Sequence, residues 1–472
     1  MANYSEMTSR NLSDLEVSSP DGQEAALANE LPPELLVYIF EISQNMLLPS
    51  EHLFRHFPVV LGDVSHYWRQ VASGAPRLWS NVDISHPRDL TVLRTYLDRS
   101  KDYPIDLHLT YDITLAQDEK ADPSEVDQLI SILQPHYFRC RSIRLSSGTY
   151  PQATPEMVSL LESMRDGHYP MLQSFLVDGA DKYDGIEPCA ILNDAPNLTN
   201  VRLGGLGFSY CRPPLKAVTE LHLAVADSII TYTDFSRMLR SCESLITLCI
   251  YDDLVHPWPS GQPLIHIPSL RCLRIFGNMM CVSQFLLSIV VPNLEELTIA
   301  PIAKGDLTTL QEDISRNTPR FPALKSLTLA PAHAHAMEQS LGLASICFPG
   351  IELLILPNYH SKYFFLSFMT NDSNGAAPSR PRWPQLHTLA VRDIDGRYNQ
   401  NVLYEFVVIR QHLGVPLRTL YLDSSSLPRM TRLDWLKDQL AVVEADPWRI
   451  QCGDAFYSDE QDRFLGSGGD NV

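Results

Sequence analysis

His333-Ala334-His335 and the pair His52 and His56 are the residues whose types and spacing first suggest chemistry, namely metal binding or hydrolysis. The second pair, at i and i+4, would share one face of a helix. Neither set has the partners that this chemistry needs. No cysteine lies close to His333 and His335 and Glu338 is the one acid near them, while Glu51 falls outside the HExxH arrangement of a zinc-bound pair with its general base. Both sets read as solvated side chains. Gly204-Gly205-Leu206-Gly207 follows an apolar run but matches neither a GxxxxGK[ST] phosphate loop nor a GxGxxG dinucleotide turn, so it reads as a turn. No GxSxG is present. The nine cysteines come no closer together than Cys242 and Cys249, which leaves no CxxC pair, no zinc-type spacing and little reason to expect disulfides. The expectation is a chain with no catalytic residues, no cofactor and no metal.

With catalysis set aside, composition narrows the class. The 472 residues are 44% hydrophobic, which excludes wholesale disorder. Against 37 basic residues stand 56 acidic ones, a net charge of −19 that repels phosphate backbones and anionic lipid. Nucleic acid and membranes are therefore not expected partners. The opening MANYSEMTSRNLSDLEVSS has no basic start followed by an apolar run. The apolar stretches Phe285–Val291 and Tyr363–Met369 fall far short of the ~18 residues of a membrane span. These features lead to the expectation of a soluble, intracellular protein, cytoplasmic and/or nuclear.

Two elements near the start carry a distinctive apolar pattern. In LPPELLVYIFEIS, Pro33 suits the first helical position and Glu34 sits where the helix dipole favours an acid. Leu35, Ile39 and Ile42 form one stripe, and Leu36 with Phe40 forms a second beside it. The apolar face is wider than one packing contact requires. VVLGDVSHYWRQVASG then reads as a helix with Val60, Val64, Trp68 and Val71 on one face, stopped by Gly74 and Pro76. Val82 and Ile84 of PRLWSNVDIS read as a short strand.

LPPELLVYIF followed by VSHYWRQVA and PRLW resembles an F-box, the short helical module that docks on the Skp adaptor of cullin-based ubiquitin ligases. The resemblance covers about residues 28–85. It departs from the family in a longer Gln44–Val59 segment and in Ser65-His66-Tyr67, where a Cys often precedes the Trp. It implies adaptor contacts by Leu31, Pro32, Leu35, Leu36, Ile39, Phe40, Val64 and Trp68. The competing reading makes the same helices a cap that buries Leu31, Pro32 and Leu36.

Most of the remaining chain repeats L-x-x-L-x-L, commonly after a proline: YPMLQSFLV, APNLTNVRL, KAVTELHLA, CESLITLCI, IPSLRCLRI, VPNLEELTI, FPALKSLTL, FPGIELLIL, WPQLHTLAV and VPLRTLYL, with a weaker copy in CRSIRL. Nine steps from Leu172 to Leu417 give a mean period of about 27 residues, inside the leucine-rich-repeat range. Alternation within Leu297-Thr298-Ile299 sends apolar and intervening side chains to opposite faces. Phe235, Met238, Leu239 and Cys242, and Val282, Phe285, Leu286 and Ile289, have helical spacing between strands. The fold class read from this is α/β: a short all-helical F-box followed by an irregular leucine-rich-repeat solenoid, with parallel strands on a concave face and helices on a convex face. A doubly wound α/β domain is the competing architecture.

The expected layout is a disordered acidic lead over 1–27, the F-box and first strand over 28–85, and a connecting segment over 86–136. The solenoid spans 137–425, a C-terminal helical cap 426–452 (centred on a helix over Asp434–Glu444) and a disordered tail 453–472. NDSNGAAPSRPRWP reads as a protruding loop. On the concave face, Arg202, Tyr251, Arg274, Phe276, Arg392 and Tyr421 are the candidates for holding a target protein, together with Glu220, His222, Glu296 and Asp423. The function expected is substrate recognition for an SCF-type ubiquitin ligase, without catalysis by this chain. The alternative is a protein-binding repeat scaffold unconnected to ubiquitin.

Overall fold

A computed structural model describes residues 31–46, 52–84, 90–111, 123–147, 155–178, 187–224, 230–276, 282–357 and 382–444, apart from 252, 257, 259, 260, 304, 315–319, 332, 333, 393 and 395. The expected lead and tail lie outside the described residues, as do His333 and residues 371–381 of the expected protruding loop. The chain divides into two units, Met1–Ile84 with Arg88–Leu107, and Ser85–Pro87 with His108–Val472. The first unit thus reaches further along the chain than the expected boundary at 85.

In the first unit, helices α1 (Pro33–Met46), α2 (His52–Val64), α3 (His66–Gly74) and α4 (Leu90–Ser100) accompany the strand Asn81–Ile84. The helix expected across VVLGDVSHYWRQVASG is two helices. Ser65 is extended and its hydroxyl accepts from the Trp68 amide at 3.1 Å, capping α3 and ending α2. Val60 and Val64 therefore leave the face of Val71: the first two are exposed and Val71 is buried. PRLW forms a 3-10 turn, Pro76–Trp79, in which Leu78 and Trp79 are buried. The Trp79 indole donates to the Ala72 carbonyl at 2.8 Å, and the Arg99 guanidinium lies 4.4 Å over its ring.

The sheet contains 14 strands in sequence order, beginning with Asn81–Ile84 and Ile105–Tyr111. It continues through Cys140–Ser147, Ser174–Asp178, Asn200–Gly204, Glu220–Ala224, Thr247–Tyr251 and Cys272–Phe276. Glu296–Ile302, Ser326–Pro331, Leu353–Leu356, Thr388–Val391, Thr419–Leu422 and Ala441–Glu444 complete it. From Cys140–Ser147 onward every pairing is parallel. All eleven copies of the repeat supply one strand each. Ile105–Tyr111 and Ala441–Glu444 add strands that the repeat did not announce. The last stands where a helix over Asp434–Glu444 was expected: the helix is Leu433–Gln439, and the β-branched Val442-Val443 pairs instead with Leu420-Tyr421.

A local turn precedes many of the strands. The residue before the proline accepts from the first repeat leucine three residues on, as in Ala195 with Leu198, Ile267 with Leu270, and Val291 with Leu294, a turn with Pro at its second position. Asn197 and Asn293 then donate side-chain N–H groups to the carbonyls of Pro170 and Pro268 in the preceding copies, at 2.6 and 2.8 Å. In register, Leu221, Leu248, Leu273, Leu297, Leu327, Leu354, Leu389 and Leu420 line one buried row. Burial of each such leucine favours folding by about 1.5–3 kcal/mol. Helices Tyr232–Ser241 and Val282–Ser288 bury Phe235, Met238, Leu239, Phe285 and Leu286, as their spacing predicts. No helix among the described residues is long and apolar enough to cross a membrane.

Candidate functional site

Two surfaces collect the residues singled out by the sequence, one in each unit. The first is built on α1. The Pro32 carbonyl accepts from the Leu35 and Leu36 amides at 3.0 and 3.1 Å, starting the helix at Pro33. The Tyr67 hydroxyl donates to the Leu31 carbonyl at 2.7 Å, tying that start to α3. Leu36, Phe40 and Gln44, spaced i, i+4, i+8, are buried. Phe40 stands 4.8 Å from Trp68, and the Gln44 amide donates to the Leu78 carbonyl at 3.2 Å. At the edge Arg77 pairs with Glu41 at 2.9 Å.

The opposite side of α1 is also apolar and is left open. Leu35, Tyr38, Ile39, Ile42 and Met46 follow i, i+3, i+4, i+7, i+11, and their exposure runs from 42% at Ile42 to 79% at Met46. Val59, Val60 and Val64 of α2 are exposed as well. Of the expected adaptor contacts, Pro32, Leu35, Ile39 and Val64 are therefore exposed, Leu31 and Trp68 half-buried, and Leu36 and Phe40 inside. Sequence spacing missed Tyr38 and Met46, although both fall on the Leu35 stripe.

The second surface lies on the sheet face opposite the leucine row. Register places Arg202, His222, Cys249 and Arg274 side by side on neighbouring strands, with Tyr251 beside Phe276 and Ala224 two residues further along. Glu220 is the hub. Its carboxylate accepts from Asn200 Nδ2 at 2.8 Å and from His222 Nε2 at 2.7 Å, with Arg202 Nη2 at 3.9 Å. These partners, the His222 hydrogen bond foremost, hold its pKa below the usual carboxylate value despite partial burial. The His222 and Tyr251 rings stack at 6.2 Å and those of Tyr251 and Phe276 at 5.1 Å.

This face is less open than alternation predicts. Arg202, His222, Tyr251 and Phe276 are all buried, and Ala224, Cys249, Tyr251, Phe276, Ala300 and Ala330 form a core cluster of their own. Strands covered on both faces read as near-continuous apolar runs, and TLCIY has that texture, whereas ELHLA alternates. Glu296 is exposed. Arg392, just past the strand Thr388–Val391, and Tyr421 stand apart, with at least three strands between them and that of Arg274: Arg392 is half-buried, and Tyr421 packs on Ile355 and Ala390. Asp423 is buried and accepts from the Ser426 amide at 3.2 Å, a turn-holding contact.

The glycine run has a packing explanation. Gly205 takes a positive φ of 47°, and a Cβ on Gly207 would stand 2.6 Å from Val177 Cβ. Among the described residues no three His, Cys, Asp or Glu side chains gather as metal ligands. No protein-family model matches the chain, and no curated protein matches it either.

Proposed function

We propose that this chain is a substrate-recognition subunit of an SCF-type ubiquitin ligase: its first unit an F-box that docks on the Skp adaptor, its second a leucine-rich-repeat solenoid that holds a target protein. The observation that carries this reading is the exposed stripe Leu35, Tyr38, Ile39, Ile42 and Met46 on a helix whose other face is already packed. A helix apolar on two faces is suited to lie between its own fold and a partner's groove. The parallel ladder, one strand per copy at a period of about 27 residues, supports the solenoid. The chain's contribution is then proximity. A target held on the repeats meets a ubiquitin-loaded enzyme of the same assembly at high effective concentration, and the covalent chemistry belongs to other subunits.

Burial of Leu36 favours one other reading, a repeat scaffold whose first helices serve only as a structural cap. Co-expression with the host's Skp adaptor separates the two. The ligase reading expects a one-to-one complex that Leu35→Asp with Ile39→Asp abolishes while circular dichroism stays unchanged. A chain that purifies alone and ignores the adaptor would overturn it in favour of the scaffold.

A further inference from the structure

A cavity of about 460 Å³ in the second unit is used by neither surface. Its lining combines apolar Leu203, Leu215 and Met238 with Arg212, Asp234 and Arg237. That volume is within the range of small-molecule sites and well above what a single water needs. Leu203, Leu215 and Met238 are buried, whereas the side chains of Asp234 and Arg237 are 44% and 74% exposed. The ion pair they make, at 2.8 Å, therefore marks the mouth.

The charges around the cavity do not balance. Both oxygens of Asp234 are engaged, Oδ1 by Arg237 and Oδ2 by the Thr231 hydroxyl at 2.7 Å. Arg212 is half-buried, and its one engaged nitrogen, Nη1, donates to the carbonyls of Phe208 and Cys211 at 2.9 and 2.8 Å. Those contacts hold the end of the short helix Leu206–Tyr210 and account for Nη1 alone. Nε and Nη2 make no hydrogen bond, and Arg212 makes no ion pair, among the described residues. Burial lowers the pKa of this guanidinium, an effect that Cys211 and then Asp234 oppose and that Arg237 adds to. A partly desolvated cation with spare donors favours an anion, and an edge-on guanidinium offers a carboxylate two parallel bonds. Asp234 beside it disfavours a second negative charge on the ligand.

We infer that this cavity binds a small monocarboxylate with an apolar body, the carboxylate on Arg212 Nε and Nη2 and the body along Leu203, Leu215 and Met238. The inference needs neither adaptor docking nor a target protein. Calorimetric titration of the full-length chain with decanoate, and with decanol as the uncharged counterpart, tests it. Decanoate should bind one-to-one and about tenfold or more tighter than decanol. Arg212→Gln should erase that preference, and Met238→Trp, which fills the cavity, should remove decanoate binding altogether. Should Arg212→Gln fail to fold, the wild-type preference and the Met238→Trp loss decide the matter together. Equal affinity for the two probes, no binding of decanoate, or decanoate binding that survives Met238→Trp would each overturn the proposal.

Discussion

Glu220 shows what one carboxylate does when its neighbours are all donors. Its folded pKa is held below the unfolded value of 4.5, so its stabilisation is complete above that value. The stabilisation is lost as pH falls through the lower, folded pKa. Glu220→Gln should therefore reduce stability at neutral pH and flatten the acid limb of a denaturation profile; an unchanged acid limb would remove Glu220 from the network. Arg410 is the complementary case. Buried and, among the described residues, without a carboxylate partner, it donates to the carbonyls of Arg382, Trp383, Leu386 and Val415 at 2.7–3.2 Å, and burial brings its pKa down to about 10. It stays charged at neutral pH. Arg410→Met takes this donor from the carbonyls of Arg382, Leu386 and Val415 (the Trp383 carbonyl keeps the Leu386 amide) and should cost about 2–4 kcal/mol in chemical denaturation. Arg410→Lys should recover little of it, because an ammonium cannot span the same fork. A loss under about 0.5 kcal/mol on Arg410→Met would show that water replaces the guanidinium. Neither residue's role was legible in the sequence as more than its side-chain type, since Glu220 meets Asn200 and Arg410 meets Trp383 only through the fold.

At the scale of elements, α1 separates two adjacent leucines that the sequence treats alike. Leu36→Ala opens a cavity in the packed side and should cost about 2–5 kcal/mol. Leu35→Ala removes an exposed side chain and should stay within about 0.5 kcal/mol. Thermal or denaturant unfolding of the two variants reads the difference, and equal losses would mean that the stripe on Leu35 is packed in solution. Both stripes were visible as periodicity, but which one faces inward depends on where α3 and the Pro76–Trp79 turn come to lie, and no local rule gives that. The same limit explains Ser65. Its capping role needs the extended backbone that splits two helices, whereas the apolar spacing ran across it unbroken. The strands were far more legible because every copy carries alternating apolar residues, and most copies also a proline just before them. Ile105–Tyr111 was missed although Pro104 precedes it and IDLHLTY alternates.

Across the whole molecule, the pairing order of the strands is their sequence order, so each copy of the repeat in the ladder has its partners one step before and one step after. Side chains of the leucine row likewise meet row neighbours, and the asparagine links at Asn197 and Asn293 reach back one copy. Such a molecule should transmit damage by nearest-neighbour coupling rather than all at once. Leu297→Ala, in the middle of the row, leaves a cavity bounded by the strands Cys272–Phe276 and Ser326–Pro331. Amide exchange under native conditions should quicken most in those two strands and in Glu296–Ile302 itself. The effect should fall with each strand outward and be smallest at Thr419–Leu422 and Cys140–Ser147. A uniform rise across every strand would show that the ladder opens as one cooperative body, and the additive picture drawn from the repeat would have to be given up.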